Sequence, residues 1–304
     1  MNFLLIGGNG FIGSHLVDKL IVEGHSVSVF DKYREYYREP IKGVKYFYGE
    51  FGNRGEIRNA LSGIDIVCHL LSTTHPKTSN DDPIYDITTN LIETVNLLDE
   101  CRRNNIAKII FISSGGTVYG IPQELPIREN SNTNPICSYG ITKLAIEKYI
   151  MLFKHLYGID YVIIRPSNPY GERQKPYGAQ GLISVFLGKI YRNEPIEVWG
   201  DGEVVRDFIY IQDLVDGIYK ASIINNTENI YNLGSGYGFS INEILKILER
   251  ITNKKLAIKY YPPRVFDIPK IFLDIEKARL NLKWQPQIPI EIGVAKTWEF
   301  INSL

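Results

Sequence analysis

The chain has 304 residues, enough for one large α/β domain with a smaller attached lobe. Its 34 lysines and arginines balance 34 aspartates and glutamates, so no basic field exists to attract nucleic acid or an anionic membrane, and neither is expected as a partner. Three widely spaced cysteines argue against a disulfide framework and against a metal site. No apolar run reaches the about 20 residues that a membrane span needs. Because no signal peptide is recognisable either, the sequence predicts a cytoplasmic protein.

Short apolar segments alternate with longer helix-like segments through the first half of the chain. This alternation is typical of strand-helix-strand units around a parallel sheet. Strands are predicted at 3–6, 26–30, 44–48, 64–70, 108–113 and 160–164. Helices are expected to begin near Gly10, Arg54, Asp86 and Tyr139, and Gly24, Gly63 and Gly158 are plausible stop signals.

The second half is richer in turn residues. Clusters of asparagine, proline and glycine at 168–171, 176–178 and 200–202 indicate loops, so a second lobe is expected there. The predicted fold is a Rossmann-like doubly wound parallel sheet with a smaller C-terminal substrate-binding lobe. The first domain is expected at 1–167, with 204–232 returning to it, and the lobe at 168–304.

The predicted helix 139–157 has apolar residues on nearly every side. Such a helix requires burial on two faces. One face can pack on the sheet, and the other suggests a subunit contact with the helix 84–101 in a homodimer. Burial of that face under the second lobe is the alternative.

Three glycines, Gly7, Gly10 and Gly13, follow the first strand and open the first helix. In that context Gly7 allows a tight turn, Gly10 lets the backbone approach a pyrophosphate, and Gly13 lets the helix pack closely on the strand. The segment therefore predicts a dinucleotide site.

The second predicted strand ends in Asp31, where an acid can accept hydrogen bonds from an adenosine ribose. This favours NAD over NADP, although a loop-capping role for Asp31 stays open. Lys32 and Arg34 lie close enough in sequence to bind a 2′-phosphate instead. Glu50 is a candidate to receive the adenine amino group, or is simply an exposed acid at a strand end.

Tyr139 and Lys143 are four residues apart, so they share one face of the predicted helix. The ammonium group is expected to lower the pKa of the phenol, letting a phenolate accept a proton from a sugar hydroxyl as hydride leaves the same carbon. The pair alone proves nothing, since twenty tyrosines should give about one such pair by frequency. Its position downstream of a dinucleotide fingerprint gives it weight.

With these motifs the chain resembles the extended short-chain dehydrogenase/reductase family and, within it, the nucleotide-sugar 4-epimerases. The resemblance covers nearly the full length. It implies a homodimer, tightly held NAD and a nucleotide-sugar substrate. The segments that carry it are the glycine motif, Asp31, 69–72, Asn90, 113–120, Tyr139-x-x-x-Lys143, 165–171 and 206–210. It also implies cofactor contacts from Phe11, Ile12, Phe51, Leu70, Leu71, Ser72, Asn90, Ser113 and Pro166.

One position departs from the family pattern. The family usually has Ser or Thr where this chain has Gly115. Thr117, two residues later, points to the same side if the segment is extended, and Ser114 is the second candidate for that hydroxyl. Family dehydratases and decarboxylases carry acids at Gly116 or Thr117, so elimination and decarboxylation are not expected.

Further along, the resemblance implies a substrate site. Asn168 matches an asparagine that bonds the diphosphate, with a turn asparagine as the alternative. Arg206 and Arg264 are candidates for a diphosphate clamp, because guanidinium groups offer paired donors to phosphate. Asp267 matches an acid that meets the nucleotide ribose. Gln180 and Leu182 are further substrate candidates. Trp199 is expected to stack on uracil, with a core position as the alternative. Ile271 matches a position that sets the room for a 2-acetamido group, and its medium size leaves open whether the sugar is glucose or an N-acetyl sugar.

These observations lead to the hypothesis of an NAD-dependent epimerase acting at C4 of a UDP-hexose through a 4-keto sugar. A 4-keto-sugar reductase would share every catalytic residue but consume reduced cofactor. A 2-epimerising or 6-deoxy-sugar variant on a dTDP or CDP carrier is another alternative. A non-catalytic dinucleotide or nucleotide-sugar binding protein is the alternative of a different class.

Overall fold

The computed structural model describes residues 1–178, 180–224, 229–263 and 268–304. The chain divides into two units. The first unit consists of Met1–Gly120, Asn132–Arg165 and Ile218–Tyr231, and the second of Ile121–Ser131, Pro166–Gly217 and Asn232–Leu304. Of the segment 204–232, which was expected to return to the first domain, only residues 218–231 lie in the first unit, whereas residues 204–217 and Asn232 lie in the second.

The first unit is built on a parallel sheet. In chain order its strands are β1 (Asn2–Ile6), β2 (Ser26–Asp31), β3 (Lys45–Tyr48), β4 (Ile66–His69), β5 (Lys108–Ile112) and β6 (Asp160–Pro166). All pairings among these six strands are parallel. A later strand, β11 (Ile230–Leu233), pairs with β6, giving the order β11-β6-β5-β4-β1-β2-β3. The predicted Rossmann-like fold is confirmed, and all six predicted strands are present with ends shifted by at most two residues.

The strand order reverses between β1 and β4. There the backbone N–H of Leu70 donates to the carbonyl of Ile6 at 2.9 Å, so the two strands stay together up to their carboxyl ends. In open α/β sheets a ligand binds beyond the carboxyl ends of the strands at such a reversal. The topology therefore fixes where a dinucleotide site can lie.

The helices of the first unit are α1 (Phe11–Val22), α2 (Arg54–Ala60), α3 (Pro76–Asp81), α4 (Pro83–Asp86), a π-helix (Ile87–Ile92), α5 (Glu93–Arg103), α6 (Ser138–Tyr157) and the last part of α8 (Ile211–Ile223). The predicted start near Asp86 is wrong: helical structure begins earlier, because Pro76 and Pro83 occupy first-turn positions where a missing N–H is harmless. Helix α6 ends at Gly158 with φ +78°, as its predicted stop signal requires.

The apolar core of the first unit follows the alternation of the strands. Leu4 and Ile6 of β1 belong to one fully buried cluster with residues of α2, α5 and α6, whereas Phe3 and Leu5 point to the opposite face of the sheet and are equally buried. Burial on both faces explains why these strands read as continuous apolar runs.

The second unit has short strands and three longer helices. Its strands are β7 (Asn168–Tyr170), β8 (Ile196–Trp199), β9 (Val205–Arg206), β10 (Phe208–Tyr210), β12 (Phe239–Ser240), β13 (Ile258–Tyr261) and β14 (Lys270–Ile271). Its helices are α7 (Leu182–Tyr191), the first part of α8, α9 (Ile241–Thr252), α10 (Glu276–Asn281) and α11 (Ile290–Asn302). Helix α11 packs against α7 and α9, and Trp284 is buried with its indole N–H donating to the carbonyl of Asp213 at 2.9 Å. None of the helices in the described ranges has the length and apolar character needed to cross a bilayer.

The contact between Gly13 and the first turn gives a test of the fold. We expect Gly13→Ala to lower the free energy of unfolding by roughly 1–3 kcal/mol, because an added Cβ would lie 2.4 Å from the carbonyl oxygen of Gly7. Helix propensity alone predicts the opposite sign, since alanine is better than glycine in a helix by about 1 kcal/mol. Urea denaturation followed by circular dichroism measures the change. Gly116→Ala is the control, because no atom lies within 4 Å of a Cβ added there; equal stabilities for the two variants would contradict the close packing.

Candidate active site

The turn between β1 and α1 has the geometry that the glycine motif requires. Gly7 has φ +82°, and a Cβ there would lie 2.9 Å from the backbone nitrogen of Leu71. The N–H of Gly10 donates to the carbonyl of Gly7 at 3.2 Å, and Gly10 itself is exposed. Side chains are thus excluded where a pyrophosphate would approach the N-terminus of α1.

Asp31 ends β2 beside this turn. Its carboxylate accepts hydrogen bonds from the backbone N–H groups of Asn9 and Tyr33, both at 3.1 Å. Burial raises the pKa of Asp31, and these backbone hydrogen bonds act in the opposite direction. The acid is therefore held next to the glycine turn, as a ribose-binding residue would be, and it also caps the loop.

The neighbouring charged residues pair with other side chains. The ammonium group of Lys32 lies 2.8 Å from the carboxylate of Glu50, and the Arg34 guanidinium lies 5.8 Å from the centre of the Tyr48 ring. The Lys32–Glu50 pair is largely exposed, so a ligand can exchange with it at low cost.

The other predicted cofactor contacts follow the carboxyl ends of the strands. Phe11 and Ile12 form the first turn of α1, Phe51 follows β3, Leu70, Leu71 and Ser72 follow β4, Ser113 follows β5, and Pro166 ends β6 in the second unit. Asn90 lies in the π-helix and is buried. Its side-chain oxygen accepts from the N–H of Thr73 at 2.9 Å, and its amide nitrogen donates to the Thr73 hydroxyl at 2.9 Å, so Asn90 holds the loop after β4 in place.

Tyr139 and Lys143 lie in the first two turns of α6. The N–H of Tyr139 donates to the hydroxyl of Ser79 at 2.9 Å. The next residue, Gly140, could not carry a side chain, because a Cβ there would lie 2.8 Å from the carbonyl oxygen of Thr117. The start of α6 is thereby fixed against the segment after β5.

The ammonium group of Lys143 is buried beneath the start of α6. It donates to the carbonyl of Ile112 at 3.0 Å and lies 4.8 Å from the centre of the Phe111 ring and 5.5 Å from that of Tyr139. Burial lowers the pKa of Lys143 to about 8, against the charges of Asp86 and Glu147, which raise it.

The expected effect of Lys143 on the phenol is wrong for this structure. Burial raises the pKa of Tyr139, electrostatic contributions from Cys137 and Asp86 act in the same direction, and only a hydrogen bond with Ser72 opposes them. Desolvation of the phenolate is the largest of these contributions, so the nearby ammonium group does not bring the pKa of the phenol below its ordinary value. The phenol therefore needs further positive charge or donors beside it before it can act as a base.

A buried network behind α6 was missed by the sequence analysis. Arg165 donates to both carboxylate oxygens of Glu147, at 3.0 and 2.6 Å, and to the hydroxyl of Tyr119 at 3.0 Å. The hydroxyl of Ser113 donates to the same carboxylate at 2.5 Å. A glutamate four residues after Lys143 is the signal that could have revealed this network, since it lies on the same helix face.

Asp86 was also missed as a site residue. Its fully buried carboxylate accepts hydrogen bonds from Ser138 and Thr142 of α6, both at 2.8 Å, and from Asn90 at 3.0 Å. Sequence reasoning saw Asp86 only as a helix start, and its spacing of four from Asn90 was the available signal.

The segment after β5 is a turn from Gly115 to Thr117, with the N–H of Val118 donating to the carbonyl of Ser114 at 3.3 Å. The expectation of an extended segment is wrong, because two consecutive glycines favour a turn. The alternation of side chains along an extended strand therefore does not place the Thr117 hydroxyl where the family has the hydroxyl of a Ser or Thr. However, the Thr117 hydroxyl is buried and has no hydrogen-bond partner among the described residues, which leaves it available to a ligand.

In the second unit, Asn168 begins β7 and is half-buried. Its side-chain amide and its backbone N–H both donate to the carbonyl of Asp207, at 2.8 and 3.0 Å. The Asp207 carboxylate is fully buried and accepts from the backbone and hydroxyl of Ser235 and from the N–H of Leu273. Asn168 therefore sits on a rigid support.

Arg206 ends β9, and its guanidinium donates to the carbonyls of Val205 and Ile268, at 2.9 and 2.7 Å. These carbonyl contacts hold the guanidinium group of Arg206 at the end of β9. The other two predicted members of this part of the site, Arg264 and Asp267, lie outside the described residues.

Trp199 ends β8 and is 39% exposed, so the core alternative is wrong. Its ring stacks on Tyr261 of β13 with centroids 5.0 Å apart. Gln180 is exposed, Leu182 begins α7 and is half-buried, and Ile271 of β14 is buried. The stacked pair offers a flat aromatic surface that a base can cover.

Comparison with known proteins agrees with this architecture. Residues 3–234 match the model of the NAD dependent epimerase/dehydratase family. A UDP-glucose 4-epimerase of Mycolicibacterium smegmatis is 32% identical over 310 residues, covering 100% of this chain and 99% of that protein. A dTDP-4-dehydro-6-deoxyglucose reductase of Escherichia coli is 34% identical over 306 residues, covering 96% of this chain and 95% of that protein.

Among solved structures, the UDP-glucose 4-epimerase of Thermotoga maritima with UDP-glucose superposes with a TM-score of 0.95 at 34% identity, covering 100% of this chain and 99% of that one. The match of the family model extends from β1 through β11, and so includes the glycine turn and α6. The chain therefore belongs to the NAD dependent epimerase/dehydratase family.

Proposed function

We propose that the protein is an NAD-dependent epimerase that inverts C4 of a UDP-hexose through a transient 4-keto sugar. The names of the M. smegmatis and T. maritima relatives support this reaction, and the latter structure supports the UDP-linked substrate. The observation that carries the proposal is the pair on α6, with the buried Lys143 ammonium 5.5 Å from the centre of the Tyr139 ring.

The first unit is the proposed NAD-binding domain. The glycine turn fits a pyrophosphate, because a Cβ at Gly7 or Gly13 would strike backbone atoms and Gly10 is open to solvent. Asp31, with its carboxylate fixed beside Asn9, would bind the adenosine ribose. Bound there, NAD would supply a reversible hydride acceptor for C4, so that no net oxidation would result.

In this proposal Tyr139 takes the proton of the C4 hydroxyl and, after the 4-keto sugar has turned over, returns it to the oxygen on C4. Because burial raises the pKa of the phenol, its ionisation depends on the ammonium of Lys143 and on the positive charge of the cofactor. Lys143 keeps its proton below about pH 8. The Thr117 hydroxyl, buried and unpartnered among the described atoms, is the proposed donor to the sugar oxygen, with Ser114 as the alternative.

The second unit is the proposed nucleotide-sugar-binding lobe. Arg206 supplies positive charge for the diphosphate, and Asn168 contributes a hydrogen bond from its rigid position beside Asp207. The stacked Trp199 and Tyr261 would hold the base. Gln180, Leu182, Arg264 and Asp267 are the remaining proposed contacts.

A second candidate function is favoured by the E. coli relative, which is named as a reductase of a 4-keto sugar. A reductase needs the same phenol and ammonium groups, but it consumes one reduced cofactor per turnover. Incubation with UDP-galactose and no added cofactor separates the two functions. Formation of UDP-glucose over many turnovers, seen by proton NMR, supports the epimerase, and its absence favours the reductase.

We expect Tyr139→Phe to lower kcat by about 10²–10⁴-fold, the range for loss of a general acid-base group, because phenylalanine keeps the ring but has no proton to exchange. The assay is the conversion of UDP-galactose to UDP-glucose. NAD content, measured by mass spectrometry of the denatured protein, should be unchanged. Tyr149→Phe, at a 40% exposed position of the same helix, is the control and should match the wild type. Full activity of Tyr139→Phe would refute the proton-transfer assignment.

Replacement of Trp199 by alanine should raise KM for the UDP-sugar while changing kcat little. Loss of a stacked base costs about 1–3 kcal/mol, which corresponds to roughly a 5- to 150-fold change. Trp199→Phe should restore most of the affinity. Tyr260→Ala is the matched control, since Tyr260 is exposed on the same strand as Tyr261 but points to the other face. An unchanged KM for Trp199→Ala would remove Trp199 from the site.

We also propose that the protein is a homodimer formed through α5 and α6. Ile141, Leu152 and Leu156 of α6 and Ile92, just before α5, are each more than 40% exposed. Helices α5 and α6 contact each other, and large apolar side chains left exposed on neighbouring helices are typical of an interface. A second copy can pair the same surface through a twofold axis, which makes a four-helix bundle.

Leu156→Glu should shift the molecular mass in solution from dimer to monomer, because the carboxylate would be buried in an apolar interface. Size-exclusion chromatography with light scattering measures the mass. Leu280→Glu replaces a leucine of the second unit that is equally exposed, at 54%, and should leave the mass unchanged. A wild-type protein that runs as a monomer would disprove the dimer.

We propose the cytoplasm as the compartment. All three cysteines are free thiols, and Cys68 and Cys101 are completely buried. Burial raises the pKa of both thiols, which keeps them protonated and unreactive. A reducing compartment suits such a set of cysteines.

A further inference from the structure

The carboxylate of Asp86 is fully buried at the end of α4 and is satisfied by neutral donors. One oxygen accepts from the hydroxyl of Thr74 at 2.5 Å and from the amide of Asn90 at 3.0 Å. The other accepts from the hydroxyls of Ser138 and Thr142, both at 2.8 Å. No lysine or arginine in the described ranges forms an ion pair with it. A buried charge held in this way is expensive, and each of its four hydrogen bonds offsets part of the cost.

The four donors belong to two separate parts of the first unit. Thr74 and Asn90 hold the loop after β4, whereas Ser138 and Thr142 immediately precede Tyr139 and Lys143 in α6. Asp86 is therefore the point at which the loop beside the dinucleotide turn and the helix with the phenol and the ammonium are tied together. A π-helix starts at the next residue and contains Asn90. The side-chain amide of Asn90 also donates to the backbone carbonyl of Asp86, at 3.2 Å.

We propose that Asp86 is a positioning residue for proton transfer: its carboxylate fixes the first two turns of α6 against the loop after β4 and supplies the negative charge that faces Tyr139 and Lys143. The inference rests on the proposed function. Asp86 touches neither substrate nor cofactor in this role; it acts through Ser138, Thr142 and Asn90.

The charge of Asp86 supports this role beyond a simple structural link. It raises the pKa of both Tyr139 and Lys143. Glu147 on α6 also faces Lys143 and likewise raises the pKa of Lys143. His69 on β4 faces Lys143 as well. Burial and the charge of Lys143 lower the pKa of His69 to about 3, so His69 stays neutral. Tyr139 is further affected by Cys137 and Ser72. Among these groups Asp86 is the one that raises the pKa of both members of the pair.

Asp86→Asn separates charge from geometry. The new amide oxygen can accept from Thr74 and Asn90, and the amide nitrogen can donate to Ser138 and Thr142, whose hydroxyls can rotate to accept. Without the negative charge the pKa values of Tyr139 and Lys143 both fall. The acid limb of the kcat profile, where the phenolate is protonated, and the alkaline limb, where the ammonium is lost, should therefore both move to lower pH. A purely structural carboxylate would leave both limbs in place.

The double variant Ser138→Ala, Thr142→Val removes the two bonds to α6 and keeps the charge. We expect kcat to fall about 10- to 100-fold, as for a small misplacement of a catalytic group, with KM and NAD affinity unchanged. Amide hydrogen exchange at 138–143 should become faster. Thr88→Val, at an exposed threonine of the same π-helix, is the control and should behave as the wild type.

Wild-type rates and exchange in the double variant, or a wild-type pH profile for Asp86→Asn, would each overturn the proposal. If the double variant does not fold, the profile of Asp86→Asn decides alone. If the proposed function is wrong, the wild-type protein itself will convert no UDP-hexose. The hydrogen-exchange measurement would still report whether Asp86 holds the start of α6, so the two failures can be told apart.

Discussion

Burial of charge around α6 is the constraint on which the first unit depends. Lys143, Glu147, Arg165 and Asp86 are each at most 4% exposed, so every one of these groups must find partners inside the protein. Glu147 pairs with Arg165, Asp86 gathers four neutral donors, and the Lys143 ammonium reaches the carbonyl of Ile112. Few placements of α6 on the sheet satisfy all these requirements together. The position of the Tyr139 phenol follows from that restriction.

Local patterns in the sequence predicted much of this architecture. The strands of the first unit are recognisable because burial on both faces makes them continuous apolar runs, and the glycine motif is recognisable because backbone contacts at Gly7 and Gly13 exclude side chains. The start and end of α6 follow from its composition and from Gly158. In each case the physical cause lies within a few residues of the pattern that reveals it.

Contacts between distant parts of the chain were not predictable in the same way. Asp86 meets α6 across 52 and 56 residues, and no spacing in the sequence announces such a contact. The pKa of Tyr139 was expected with the wrong sign, because adjacency to Lys143 is visible in sequence but the depth of burial is not. Likewise, the extended geometry expected around Thr117 neglected the turn that Gly115 and Gly116 form.

The interleaving of the two units limits how the protein can be divided. The chain leaves the first unit at Gly120, returns at Asn132, leaves again at Arg165 and returns at Ile218. Strand β11 lies next to β6 in the sheet but begins some sixty residues after β6 ends. A fragment ending at the close of β6 would expose that strand as an unpaired edge, open to association with other chains. Neither unit can therefore be produced by one cut, and exchange of the second unit between relatives requires several junctions.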